Sequence, residues 1–99
     1  MIRHVAVFRF SADFTGARRA EWVALLLSME GVVPGLRAVT VGDDIRHGPA
    51  SYDLAIVADF DDLAALAQYE DHPIHREVLR LSAPVKTALA TVDFDVADG

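Results

Sequence analysis

The 99-residue chain is long enough for one hydrophobic core and too short for two, so we expect a single domain over residues 1–99. It has no cysteine, which excludes disulfides, thiolate nucleophiles, iron–sulfur clusters and the common structural zinc sites. A formal net charge of −6, spread along the chain, disfavours nucleic acid and anionic lipid, while 53% hydrophobic residues exceed what a lone small domain needs and point to an interface.

The opening segment MIRHVAVFRF is interrupted by Arg3 and Arg9, so it lacks the apolar run of a signal peptide. No stretch is apolar for the roughly eighteen residues that a membrane span needs. We expect a soluble, cytoplasmic protein without a membrane partner. Ile2 to Phe10 is rich in β-branched and aromatic residues and predicts a strand, with Ile2, His4, Ala6, Phe8 and Phe10 on one face and Arg3, Val5, Val7 and Arg9 on the other.

Ala17 to Met29 places Trp22, Leu25, Leu26 and Met29 on one helical face, with Thr15 or Asp13 as N-cap candidates and Gly31 as C-cap. After the Pro34–Gly35 turn, Leu36 to Asp43 predicts a second strand. There the alternation puts Val39 and Val41 opposite Leu36, Ala38 and Thr40. Tyr52 to Phe60 alternates as a third strand. A helix capped by Asp61 then runs through DDLAALAQYE and breaks at His72–Pro73, because proline disfavours a helical residue before it and suits the first position of a new helix. A short helix from Pro73 to Leu81 and a last strand from Lys86 to Val96 complete the order, and ADG reads as a frayed tail.

Strand, helix, strand, strand, broken helix, strand is the ferredoxin-like α+β order, βαββαβ, with one antiparallel four-stranded sheet and its helices on one face. The other face would then carry Val5, Val7, Val39, Val41, Ala55 and Val57 at strand centres. That is an apolar patch of roughly several hundred Å², more than a soluble monomer usually exposes. A second copy packing sheet to sheet would cover it, with Arg3, Arg9, Asp53 and Asp59 as a polar rim.

YEDHPIHREV, Tyr69 to Val78, holds the residues most suited to chemistry. On the wheel of the helix starting at Pro73, Ile74, Val78 and Leu81 form the apolar stripe, and His75 falls on the inward arc. His72 lies at the helix start, where capping or shaping the break is its expected role. A metal pair with His75 is disfavoured, since His72 is outside the regular helix and no third ligand lies nearby in sequence. Tyr69, on the inward edge of the preceding helix, converges on His75; the two form either a proton-transfer pair or a hydrogen bond that fixes the kink. His4 lies on the helix-facing row of the first strand with Phe8 and either meets a structural partner or lines a pocket. His47 is a loop residue, and the Asp43–Asp44 and Asp61–Asp62 pairs suit caps and solvent. No phosphate loop or Ser-His-Asp pattern is present.

With RHVAVFRF, VPGLRAVTVGDD, SYDLAIVADFDDLAALAQYEDHPIH and VDFDV, the chain resembles the stress-responsive A/B barrel (Dabb) domains over nearly its whole length, YxxHPxH being the most specific segment. The resemblance implies a ferredoxin-like subunit pairing into a dimeric α+β barrel. The family includes stress-associated plant proteins, bacterial proteins without known activity and a few enzymes, of which olivetolic acid cyclase closes a linear polyketide by an aldol step. Carried over residue by residue, that enzyme implies His75 as base, Tyr69 orienting the substrate and His4 in the pocket. Leu26 and Leu54 stand where the cyclase has a further tyrosine and histidine, so those two with Phe8 would line the site.

Three readings follow. One is a small enzyme needing no cofactor or metal, a polyketide cyclase-like protein, isomerase or lyase acting on a small hydrophobic carbonyl compound. The second is a non-enzymatic stress-responsive homodimer whose interior is filled. The third and weakest, from wider likeness among dimeric α+β barrels, is a small monooxygenase.

Overall fold

Strand β1 (Ile2–Phe10) opens the fold in the computed structural model, which describes residues 1–97. It is followed by α1 (Gly16–Leu27), β2 (Leu36–Asp43), β3 (Leu54–Phe60), α2 (Leu63–Asp71), α3 (Pro73–Ser82) and β4 (Lys86–Asp95). The four strands form one antiparallel sheet in the order β2-β3-β1-β4. This is the ferredoxin-like α+β arrangement that the element order predicts. Asp98 and Gly99 of the expected frayed tail lie outside the described residues.

Two helix boundaries differ from expectation for local reasons. The first helix stops at Leu27 with Ser28 as its cap, and Gly31, at φ 83°, serves the turn beyond it. The α2 cap is Asp62, whose Oδ1 accepts from the Ala65 N–H at 2.9 Å. Asp61, just past the end of β3, is engaged elsewhere: its N–H donates to the Gly35 carbonyl and its carboxylate pairs with Arg37.

The helices cover the face that carries Ala6 and Phe8 of β1 and Ile56, Ala58 and Phe60 of β3, all buried. Trp22, Leu26 and Met29 of α1, Leu66 and Tyr69 of α2, and Val78 of α3 pack onto it. Around Trp22 the rings of Phe8, Phe10 and Phe14 meet the indole edge-on at 5.4–5.8 Å between centroids, closing one end of this layer.

One expected face assignment is reversed. Leu36 pairs with Phe60 and Ala38 with Asp59, so Arg37 is an extra residue on β2 and the alternation restarts after it. Val39 and Val41 consequently pair with Ala58 and Ile56 on the helix side, where Val39 is buried. The open face instead continues from Val5, Val7, Ala55 and Val57 into β4, whose Val92 and Ala90 stand opposite Val5 and Val7. Val92 is 62% exposed and Phe94 44%. At one edge Arg3 grips Asp59 through two hydrogen bonds of 2.8 and 3.1 Å; at the other Asp53 accepts from the Phe10 N–H and Arg9 lies over the Tyr52 ring. No helix among the described residues is long and apolar enough to cross a membrane.

Candidate active site

The break between α2 and α3 sets the geometry. His72 takes an extended conformation (φ −65°, ψ 140°) before Pro73, as its position requires, and its Nδ1 accepts from the Ile74 N–H at 3.1 Å. The ring is therefore a helix cap and does not converge with His75. One turn later, His75 Nδ1 lies 3.0 Å from the Glu70 carbonyl oxygen. A carbonyl only accepts, so Nδ1 carries the proton and Nε2 keeps its lone pair. Burial lowers the His75 pKa from the usual 6.5; the Glu70 carbonyl bond and carboxylate oppose this, and His4 adds to it. The net effect favours the neutral form of the ring.

Tyr69 is 1% exposed, with its ring 4.6 Å from that of His75 and 5.1 Å from that of Phe60. Burial, followed by the nearby Glu70 carboxylate, pushes its pKa up to about 12, so it is a phenol and a donor at neutral pH. The pair meets by ring contact, and among the described residues the Tyr69 hydroxyl makes no hydrogen bond to the protein. The kink is held by the His72 cap and by the His75–Glu70 bond instead.

On the sheet side, His4 of β1 faces Tyr69 at 6.2 Å between centroids. Its Nδ1 is 2.5 Å from Oδ1 of Asp93, its cross-strand partner on β4.

These three rings line one open cavity of about 350 Å³ between the sheet and α1, α2 and α3. Phe8, Leu26, Trp22, Ile56 and Val78 give it apolar walls, while Glu70, Leu79, Leu89 and Thr91, all exposed, stand at its mouth. Leu54 does not reach it. It stands opposite Phe8 in the β1–β3 ladder, one inward-facing pair beyond Ile56, and belongs to the core. His47 lies exposed in the β2–β3 loop, at φ 51°.

Trp22 and Ser82 also line the cavity, beyond the residues expected from sequence, and both donate to the Val78 carbonyl at 3.0 and 3.1 Å. Ser82 carried a signal, since it lies seven residues after His75 on the same helical face. Among the described residues no three His, Asp or Glu side chains gather as metal ligands.

The family model of the stress-responsive A/B barrel domain matches residues 2–96. The chain belongs to this family. A protein of Streptomyces coelicolor described as uncharacterised is 33% identical over 79 residues, spanning 77% of this Dabb chain and 80% of that one. Among solved structures, a dimeric ferredoxin-like protein of unknown function from Thermobifida fusca superposes with a TM-score of 0.85 at 32% identity, over 96% of this chain and 90% of that one. The hydroxynitrile lyase of Passiflora edulis superposes at 0.81 over 99% and 94% of the two chains; at 15% identity it shares the fold.

Proposed function

We propose that this Dabb protein is a small enzyme acting without a cofactor, an isomerase, lyase or cyclase-like catalyst that removes a carbon-bound proton beside a carbonyl group. The observation that carries this reading is the open cavity joining His4, Tyr69 and His75, with the His75 lone pair free at Nε2. His75 Nε2 takes the proton, the C–H electron pair moves into the carbonyl, and the Tyr69 phenol donates a hydrogen bond to the oxygen on which charge develops. Apolar walls with three polar rings suit a small hydrophobic carbonyl compound. That one structural neighbour is a hydroxynitrile lyase supports a catalytic use of the fold.

The assembly we propose is a homodimer closed through the open sheet face, supported by its apolar row and by the dimeric neighbours.

Deuterium incorporation tests the reaction without a known substrate. Small ketones such as cyclohexanone and 2-heptanone are incubated with the protein in D2O, and loss of the α-proton signals is followed by NMR. Wild type accelerates exchange above buffer; His75→Ala removes at least about a hundredfold of that acceleration and Tyr69→Phe about tenfold or more. Acceleration unchanged in His75→Ala would falsify the assignment. The competing reading, a non-enzymatic dimer in which these side chains lock the kink, predicts lost stability in both variants and no exchange in any of the three proteins.

A further inference from the structure

The proposed reaction leaves one arrangement unused, the contact between His4 and Asp93. We propose that His4 is a second proton-transfer group of the cavity and that Asp93 is the positioning residue that sets its tautomer. This deepens the preceding reading and rests on it, because it names the source of the proton that the ligand's oxygen receives.

The geometry begins in the β1–β4 ladder, where register places His4 opposite Asp93 on the helix-facing side. A carboxylate accepts, so His4 Nδ1 carries a proton toward Asp93 Oδ1, 2.5 Å away. An ordinary surface pair would leave both groups in water and contribute little. Here they are divided: the His4 side chain is 14% exposed and lines the cavity, whereas the Asp93 side chain is 41% exposed at its edge.

With Nδ1 engaged, Nε2 is the ring's remaining nitrogen, and it makes no hydrogen bond among the described residues. The groups facing this ring are Asp93 from β4, Tyr69 from α2 and, beyond Tyr69, His75 from α3.

Two imidazoles thus flank one phenol, each donating from Nδ1 and each with Nε2 left for chemistry, but with different supports. His75 donates to a neutral backbone carbonyl and His4 to a carboxylate. The first suits a base that starts neutral. The second suits a ring that carries a proton in and out, since the carboxylate charge lies against it in either state.

In the proposed step, the carbon-bound proton goes to His75 Nε2 as the C–H pair shifts toward the carbonyl oxygen. The His4 imidazolium gives its Nε2 proton to that oxygen, so an O–H bond forms as the N–H bond breaks. His4 is left neutral, with Nδ1–H still on Asp93, and water exchanges the protons of both rings back.

Two measurements on the 99-residue chain test this. Nitrogen-15 NMR of the imidazoles, at a pH where the rings are neutral, is expected to show protonated Nδ1 and unprotonated Nε2 for both His4 and His75. In Asp93→Ala, His4 moves toward the Nε2–H tautomer and His75 does not. A wild-type His4 found as the Nε2–H tautomer, or one indifferent to Asp93→Ala, overturns the positioning role.

In the ketone exchange assay, His4→Gln and Asp93→Asn are each expected to lower the accelerated rate by about tenfold or more. Their thermal midpoints should stay within a few degrees of wild type, which a merely structural pair would not allow together with that loss. Wild-type exchange with rates unchanged in both variants sinks the His4 role and spares the His75 base. Absence of exchange in wild type sinks both.

Discussion

The Tyr69 hydroxyl makes no hydrogen bond to the protein among the described residues, although the ring around it is packed on Phe60 and His75. Removing the oxygen therefore costs the folded state little. Tyr69→Phe is expected to change unfolding free energy by no more than about 0.5 kcal/mol in urea titrations, while depressing ketone exchange. His75 makes a second prediction, this time of pH dependence. Its imidazole titrates near 6.5 when unconstrained and lower in the folded protein, because burial penalises its charged form. Between the two values the unfolded chain holds the extra proton, so stability should fall as pH drops from about 6.5 toward the native value. Urea unfolding of wild type and His75→Gln at about pH 7.5 and about pH 5.5 checks the sign: the acid loss is smaller in the variant. Exchange activity should persist below pH 6.5 for the same reason.

Caps and a close approach hold the secondary-structure elements in register around the cavity. His72 ends α2 and caps α3 at once, with its ring on the Ile74 N–H. His72→Ala should lower stability by about 1 kcal/mol, measured in urea, and weaken the placement of His75 one turn on. Gly35 is more demanding. It adopts φ 81°, and a Cβ there would come within 2.5 Å of the Ala65 side chain on α2. Gly31 also has a positive φ, 83°, but faces open space. Gly35→Ala is therefore expected to destabilise by clearly more than the roughly 1 kcal/mol of Gly31→Ala, as a difference in urea midpoints would show. Elements of this kind were legible in advance wherever the signal was local: Pro73 announced the break, and the inward arc of α3 placed His75. The Asp61 cap was misplaced by one residue because Asp61 is held by distant partners, its N–H on the Gly35 carbonyl and its carboxylate on Arg37, which no local pattern shows.

At the level of the assembled fold, the open sheet face is the feature that a lone copy does not satisfy. Val57 stands at the centre of β3 and pairs with Val5 on that face. Val57→Lys should convert a dimer into a monomer, with light scattering after size-exclusion chromatography as the readout and near-native far-ultraviolet circular dichroism as the control. A wild type already monomeric at micromolar concentration removes the proposed assembly. The valine row was half legible. Alternation identified Val5, Val7, Ala55 and Val57, but the bulge at Arg37 turned Val39 and Val41 inward, and the β4 residues Val92 and Phe94 took their place.

Periodicities of two and 3.6, glycine and proline positions, and the Dabb motif segments all belong to neighbouring residues, so they could be read from the chain alone. They establish the order of elements, the fold and the inward direction of His4, Tyr69 and His75. Three things came only with tertiary contacts: the bulge that reassigns a strand's faces, the gap of about 350 Å³ left between helices and sheet, and the meeting of His4 with Asp93 across 89 positions of sequence. Register and layer separation are set by how distant segments pack against one another, and no local pattern encodes either.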